Sequence, residues 1–342
     1  MKTDSENKKR TDISEVGKVA LTSNLLAKAG STISSSVIFG KEGDYIWDNS
    51  HTIMLEGIDF DLTYMPIKYL GYKSVILNLG HLYSKFFKPD NISIRIGLSG
   101  RFSVEDVEEL WDGMIAAFSE HKIEKISLEL QPSLTGLTIS SSSQGKQQRE
   151  LFVQRREPRS GDLIALSGNV GAAFMGLQLL EREKRLFTRT SAQPNLENHK
   201  FILKAYLNPE INTSLFDEFE NTSISPLYGE FLNTGLADAV KMACHTTGFG
   251  AKLFLDRIPI AAQTSAMAQE LNMDPITAAL NGGNDVQFIF ILPIEEYEKI
   301  SKELPQLDIV GHLCSPEVGA VLVTPDGNSL ELKAQGWSEG VA

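Results

Sequence analysis

The stretch DLIALSGNVGAAFMGLQLLEREK, residues 162 to 184, indicates the fold class of this chain. A short apolar run typical of a buried strand is followed by a glycine-bearing turn and a long helical pattern. Such a unit predicts a sheet covered by helices. Gly168, Gly171 and Gly176 do not have the dinucleotide-binding spacing, and the turn lacks the lysine and hydroxyl of a P-loop. Helix packing explains these glycines, and an anion at the helix N-terminus is the alternative.

The rest of the second half continues this alternation. A helix is predicted from about Thr234 to a stop near Gly248, and a strand and a short helix follow. The run VQFIFILP, residues 286 to 293, predicts a strand before another helix. Pro325-Asp326-Gly327 lies between two alternating runs and predicts a hairpin. Because strict right-handed crossover units are not evident, the pattern favours an α+β class.

The first half reads as a sheet with a covering helix. In SVEDVEELWDGMIAAF, residues 103 to 118, the apolar residues have helical spacing, and Ser103 and Asp106 form a capping-box pattern. Strands are predicted in NISIRIGLS before it and in KISLEL and GLTISSSS after it. A polar, arginine-rich segment then marks a domain boundary. We predict a disordered tail at 1–12, an N-terminal domain at 13–145, a linker at 146–160 and a C-terminal domain at 161–340.

Composition narrows the functional classes. The 342 residues carry 32 Lys and Arg against 44 Asp and Glu, a formal charge of −12, so neither nucleic acid nor an acidic membrane surface is an expected partner. Only two cysteines, no signal-peptide pattern and no membrane-spanning apolar run indicate a cytoplasmic protein. The six histidines are scattered, without zinc-ligand spacing.

Three groups of residues remain as candidates for chemistry. Four arginines crowd the predicted linker and suit phosphate oxygens, although a solvated linker is the alternative: Arg149, Arg155, Arg156 and Arg159. Cys244 and His245 are adjacent on a predicted helix, where neighbours point in different directions, so a Cys-His nucleophile is disfavoured. In AALNGGNDVQFIFILP, residues 278 to 293, glycines and Asp285 before a strand suit either a metal-phosphate site or a tight turn.

Longer motifs give a more specific indication. These are EGIDFDLTYMPIKYLGYKSVILNL (56–79), SLTGLTIS (133–140), GDLIALSGNVGAAFMGLQLLEREK (161–184), AALNGG (278–283) and LELKAQGW (330–337). With them the chain resembles bacterial thiamine-monophosphate kinases, of the aminoimidazole ribonucleotide synthetase-like superfamily, from about Ile13 to Trp337. The resemblance implies a two-domain α/β sandwich that dimerises through its N-terminal sheets. It also implies ATP and Mg²⁺ near that interface, and phosphoryl transfer from ATP to thiamine phosphate.

The acidic residues of the family's metal sites are largely replaced. Its Gly-Asp-Asp turn corresponds to Ser34–Phe39, and its single aspartates correspond to Thr52 and His81. Its Gly-Gly-Asp-Thr loop corresponds to Ser127–Leu130, which keeps Glu129. Its Asp-x-Ser-Asp-Gly-Leu motif is Phe231–Leu236 here, and its Gly-Gly-Glu-Asp with a following glutamate has become Gly282–Asp285 with Gln287. Since aspartates hold the Mg²⁺ that neutralises polyphosphate charge, these losses predict weak or absent phosphoryl transfer.

The resemblance also assigns candidate binding residues. It places Glu129, Arg155 and Asn233 on the ATP side, Asp59, Asn284 and Trp337 on the substrate side, and possible metal remnants at Glu129 and Asp285; no catalytic residue is assigned. The primary hypothesis is a homodimeric pseudoenzyme with a binding or regulatory role. A heterodimer with a genuine family kinase is a further possibility. The alternative is an active thiamine-phosphate kinase, or a retuned ATP-dependent or metal-free enzyme that uses Glu129, Asp285, His81 and Arg155.

Overall fold

A computed structural model describes residues 16–28, 38–39, 44–153 and 155–337. Within these ranges the chain forms an α+β structure with two separate sheets. The strands are β1 Ile38–Phe39, β2 Tyr45–Leu55, β3 Lys88–Leu98, β4 Lys125–Pro132, β5 Leu137–Gln148, β6 Leu163–Leu166, β7 Tyr228–Phe231, β8 Gly250–Phe254, β9 Phe288–Leu292, β10 Asp308–Cys314, β11 Ala320–Val323 and β12 Ser329–Glu331.

Eleven α-helices are assigned within the described ranges. They are α1 Lys18–Lys28, α2 Ile67–Ser84, α3 Val104–Glu120, α4 Arg149–Val153, α5 Ala172–Thr190, α6 Lys200–Leu207, α7 Ser214–Thr222, α8 Leu236–Thr247, α9 Ala262–Glu270, α10 Pro275–Asn281 and α11 Tyr297–Glu303. The described part contains no helix long and apolar enough to cross a membrane.

The N-terminal sheet has the strand order β1-β2-β5-β3-β4. β3 and β4 run parallel, and the other neighbours are antiparallel. α2 packs on the inner face, and α3 packs on α2. The two helix backbones approach closely because Gly71 faces the Leu110 carbonyl and Gly113 faces the Lys68 carbonyl, where a Cβ atom would collide. β4 forms one edge of the sheet, and all eight of its residues are exposed.

The C-terminal sheet has the strand order β12-β11-β8-β10-β6-β9-β7. β8 and β11 are parallel, whereas the remaining pairs are antiparallel. β9 reads FIFIL and is buried throughout, as expected of a strand covered on both faces. α5 and α8 each begin at a glycine with positive φ, Gly171 and Gly235.

One continuous core joins the two halves of the chain. At the end of α2, Phe86 packs edge-on against Phe216 and Phe219 of α7 and lies 5.5 Å from Phe290 of β9, measured between ring centroids. Aromatic pairs of this kind add stability beyond the area they bury. The predicted N-terminal and C-terminal domains are therefore packed directly on one another.

Most sequence-predicted elements are confirmed. Ser103 and Asp106 form the reciprocal capping box at the start of α3, and Gly248 ends α8 in the left-handed conformation. The hairpin at Pro325-Asp326-Gly327 is β11–β12. β5 continues to Gln148, so the first residues of the predicted linker belong to the sheet. α6 and α7 lie in a polar stretch for which the sequence indicated no helix. The predicted tail 1–12 and Ser34–Val37 lie outside the described residues.

Candidate functional site

The glycine-bearing turn before α5 is occupied by a carboxylate of the protein itself. Asp285 accepts hydrogen bonds from the backbone N–H of Gly171 at 2.7 Å and of Ala173 at 3.0 Å. A helix N-terminus attracts an anion, and Asp285 takes that place. Burial raises the pKa of Asp285 to about 6, although the amides oppose the shift. Asp285 therefore acts as a helix cap in this structure, and this use of both oxygens argues against its assignment as a metal remnant.

The turn that carries Asp285 has an unusual backbone. Gly283, Asn284 and Val286 all have positive φ, at 70°, 61° and 52°. A β-branched residue with positive φ is strained, and strain of this type persists only where the surroundings enforce it. The Asn284 N–H donates to the Asn233 carbonyl at 2.9 Å, which joins two of the predicted binding residues. The side chains of Asn233 and Asn284 are half-buried.

Trp337 packs along α8. Its indole N–H donates to Asp238 at 2.7 Å, and the Thr234 hydroxyl donates to the same carboxylate. Lys241 lies 5.4 Å from the centroid of the Trp337 ring, and His245 packs edge-on at 6.1 Å. Asp238 thus fixes both Thr234, at a former metal position, and Trp337, the predicted substrate-side aromatic residue.

The two other former aspartate positions are in direct contact. The His81 and Phe231 rings meet edge-on with centroids 5.2 Å apart, and Phe231 also packs against Phe288 at 5.5 Å. A Cβ on Gly80 would lie 2.5 Å from the Phe231 ring, so this ring rests on the backbone of α2. Burial and the nearby Lys85 lower the pKa of His81 to about 4. At neutral pH this pair therefore provides neither an anionic ligand nor a positive charge.

Thr52, the replacement on β2, belongs to a buried hydrogen-bond network. Its hydroxyl lies 2.6 Å from that of Ser141 on β5 and accepts from the Asn78 amide at 3.3 Å. Asn78 also donates to the Ser141 carbonyl at 3.1 Å and accepts from the Ser143 hydroxyl. Because each partner is satisfied within the protein, this network fixes α2 to the inner face of the sheet.

Arg155 is a half-buried cation in aromatic surroundings. Its guanidinium lies 5.1 Å from the Phe86 ring centroid and 5.8 Å from that of Phe152. Burial lowers its pKa to about 10, and its Nε atom has no hydrogen-bond partner among the described residues. The neighbouring Arg156 instead pairs with Asp162 at 2.6 Å and with Glu295 at 2.7 Å. Of these two arginines, only Arg155 is placed to receive an external anion.

The other predicted site residues lie on separate elements. Glu129 is on the exposed edge strand β4 and pairs with Arg95 at 2.9 Å. Asp59 follows β2 and accepts from the Leu55 N–H at 2.7 Å. Cys244 does not suit a nucleophilic role, because burial raises the pKa of its thiol to about 12. The structure thus joins Asn233 to the turn of Asn284 and Asp285, and Asp238 links Trp337 to the neighbouring Thr234, while Glu129, Asp59 and Arg155 lie on other elements.

These arrangements test the Mg²⁺ and ATP that the resemblance implies. Across 44–153 and 155–337, no three His, Cys, Asp or Glu side chains are grouped so that they could hold a metal ion. The resemblance aligns four residues with metal aspartates, and each of them is engaged with another part of the protein: Thr52, His81, Phe231 and Thr234. The described residues therefore do not fit the family's metal cluster, whereas Arg155 fits a phosphate group.

Sequence reasoning missed two carboxylates in this region. Asp238 lies four residues after Thr234, and this helical spacing was the signal in the sequence that could have indicated their contact. Glu230 precedes Phe231 on β7 and accepts from the Tyr228 hydroxyl, and burial raises the pKa of Glu230. Asp238 adds negative charge beside Thr234, whereas burial favours the neutral form of Glu230.

Comparisons with known proteins agree with the fold. No protein-family model matches the chain. Thiamine-monophosphate kinase of Aquifex aeolicus is 24% identical over 292 residues, covering 83% of this chain and 85% of that protein. A putative hydrogenase expression/formation protein of Methanocaldococcus jannaschii is 23% identical over 290 residues, covering 83% and 82%.

Among solved structures, AaThiL complexed with AMPPCP and TMP has a TM-score of 0.79 at 19% identity, covering 96% of this chain and 99% of that one. The HypE-HypF complex contains a chain with a TM-score of 0.63 at 14% identity. Two sheets with covering helices and these neighbours define a protein of the aminoimidazole ribonucleotide synthetase-like fold. The chain is thus similar to thiamine-monophosphate kinases at low sequence identity and shares the fold of AaThiL.

Proposed function

We propose that this chain is a catalytically impaired thiamine-monophosphate kinase-like protein that acts as a binding or regulatory protein. The observation that carries the proposal is the position of the Phe231 ring, which rests on Gly80 and meets His81 edge-on. Phe231 is 3% exposed. An apolar ring therefore fills a place where the family resemblance expects a carboxylate and its metal.

Electrostatics supports the same proposal. Phosphoryl transfer brings two polyphosphate anions together, and metal ions normally neutralise their charge. Here the hydroxyls of Thr52 and Thr234 are already hydrogen-bonded, and neither carries a charge. Asp238 and Asp285 add negative charge close to the turn before β9. Productive binding of Mg²⁺-ATP would require these contacts to be broken before any ligand could be held.

Arg155 supports a retained capacity to bind a ligand. A half-buried charge without a counter-ion is partly desolvated, and an anionic ligand would offset that cost. The proposed ligand therefore carries a phosphate or carboxylate group that reaches Arg155. Asn233 and Asn284 would contribute neutral amides, which orient a ligand without adding charge.

The second candidate is an active or retuned ATP-dependent enzyme. It is favoured by the curated relatives, several of which are named thiamine-monophosphate kinase. It is also favoured by the Nε atom of Arg155, which has no hydrogen-bond partner among the described residues. In that case Asp285, Glu129 and His81 would have to act in catalysis. In this structure Asp285 caps α5, Glu129 pairs with Arg95 and His81 packs against Phe231. Turnover measurements distinguish the two candidates directly.

The test combines calorimetry with a turnover assay on the purified full chain. We expect ATP or thiamine phosphate to bind without a requirement for Mg²⁺, and no steady formation of thiamine diphosphate from Mg-ATP. Arg155→Met should abolish the binding heat, whereas Arg159→Met, which removes an exposed arginine four residues away, should leave it unchanged. Sustained turnover that is lost in Asp285→Ala would overturn the impaired-enzyme proposal.

A dimer is the proposed assembly. The edge strand β4 exposes Ile126, Leu128 and Leu130 at 40%, 43% and 51%, and unpaired edges of this type usually pair or are covered. We therefore propose self-association through the N-terminal sheet, with a heterodimer containing a genuine family kinase as the regulatory form. A concentration-independent monomer in sedimentation would contradict the first statement. Co-purification that recovers only this chain would contradict the second.

A further inference from the structure

Lys73 is a buried lysine at the contact between the two domains. It lies in the middle of α2 and is 1% exposed. Its Nζ donates to the carbonyl oxygen of Tyr206 at 2.8 Å and lies 3.8 Å from the centroid of the Tyr206 ring. Tyr206 is in the last turn of α6, in the C-terminal domain. A single side chain thus joins the central helix of one domain to the end of a helix in the other.

A buried lysine usually pairs with a carboxylate, and this one does not. No ion pair of Lys73 is found within the described part of the chain, and the only hydrogen bond of its side chain there is to Tyr206. The carbonyl at the C-terminal end of α6 and the face of the aromatic ring both favour the ammonium form. Burial in an apolar environment favours the neutral amine. These opposing effects leave the two protonation states close in free energy.

The surrounding charges do not decide this balance. Asp59, in the loop after β2, acts on Lys73 from a distance. Asp61 is engaged by Lys184 of α5, and Glu181 of α5 accepts from the Tyr64 hydroxyl at 2.8 Å. Tyr64 packs near Tyr206, with ring centroids 6.5 Å apart. Asp61 and Glu181 are therefore engaged by other partners, and Asp59 favours the ammonium form but does not outweigh the effect of burial.

We propose that Lys73 is a proton-sensitive pin between the domains: as a neutral amine it holds α6 against α2, and its protonation loosens that contact. Burial lowers the pKa of Lys73 to about 7, from an ordinary value of 10.5. Between these two values the open, hydrated state binds more protons than the docked state. The docked state is consequently favoured as pH rises from 7, and it is weakest below 7.

Hydrogen exchange on the full chain measures this loosening. With pKa values of about 7 when docked and 10.5 when hydrated, protection of the α6 amides should rise about tenfold between pH 6 and pH 8, after correction for intrinsic exchange rates. Lys73→Met should remove this pH dependence. Lys68→Met, which changes an exposed lysine on the same helix, should retain it. An α6 protection that does not change with pH in the unmodified protein would overturn the proposal.

A second measurement does not depend on the folding of a variant. In protein carrying ¹³C-labelled lysine, the Cε resonance of Lys73 should titrate with a midpoint near 7, apart from those of the exposed lysines. Its assignment can be made from the signal that disappears in Lys73→Met, or in Lys73→Arg if that variant folds better. A midpoint above 10 for every lysine would show that no proton-sensitive pin exists and would overturn the proposal.

Discussion

Replacing Phe231 by aspartate tests whether the former metal position can still accept a carboxylate. Phe231 is 3% exposed, and its ring contacts His81, Phe288 and the backbone at Gly80. Removal of a buried phenylalanine side chain costs about 3–5 kcal/mol. An introduced carboxyl group without partners adds about 1–3 kcal/mol, even if it takes up a proton. We therefore expect Phe231→Asp to lower the unfolding free energy by about 5 kcal/mol.

Urea unfolding followed by tryptophan fluorescence gives the required free energies. Phe231→Leu is the matched control, because it keeps an apolar side chain and should cost only about 1–2 kcal/mol. Each protein is measured with and without Mg²⁺. A metal that binds only the folded state raises its stability by RT ln(1 + [Mg²⁺]/Kd), so an intact metal shell would recover part of the loss.

We expect no recovery with Mg²⁺, since Thr52 and Thr234 are hydrogen-bonded within the protein and cannot complete the coordination shell. If Phe231→Asp is nearly as stable as the unmodified chain, or if Mg²⁺ restores its stability, the reasoning is refuted. Such a result would mean that the metal geometry survives under the aromatic contacts.

Three further predictions concern stability. Relative to Asp285→Asn, the unfolding free energy of the unmodified protein should rise by up to about 3 kcal/mol as pH falls from about 6 to 3.8. The reason is that in this range the folded state binds a proton at Asp285 that the unfolded state does not, and a difference independent of pH would contradict it. Gly113→Ala should cost at least about 1–3 kcal/mol, since its Cβ would collide with the Lys68 carbonyl, and an unchanged midpoint in thermal unfolding would refute that contact. Ser103→Ala should cost about 1 kcal/mol through loss of the capping box, measured by urea unfolding against the Ser103→Thr variant, which retains the cap.

Local sequence signals predicted much of the fold because they act over a few residues. The capping box at Ser103, the stop at Gly248 and the turn at Pro325-Asp326-Gly327 each determine their own element. The helices α6 and α7 were missed, because short segments in a polar stretch are helical only through packing on the core. Ile202 and Tyr206 of α6 contact Gly176 of α5, and this contact has no local signature.

The candidate site was less predictable, since it depends on residues distant in sequence. The resemblance identified Thr52, His81 and Phe231 as replacements, but it did not indicate what each one contacts. The structure places His81 against Phe231, 150 positions later in the chain, and it assigns Asp285 to the N-terminus of α5. Lys73 is part of a family-like motif, yet its burial beside Tyr206 follows only from domain packing.

The replacements share one physical consequence that a single lost aspartate would not have. Three positions that the resemblance aligns with metal aspartates are each stabilised by a neighbour: Thr52 by Ser141, Phe231 by His81 and Thr234 by Asp238. Reverting any one of them therefore costs stability before it restores a ligand. Metal binding would require several simultaneous changes, each unfavourable in the folded state. Under the proposed function, this coupling, more than the absence of any particular carboxylate, explains how the fold is kept stable without a cluster of acidic metal ligands.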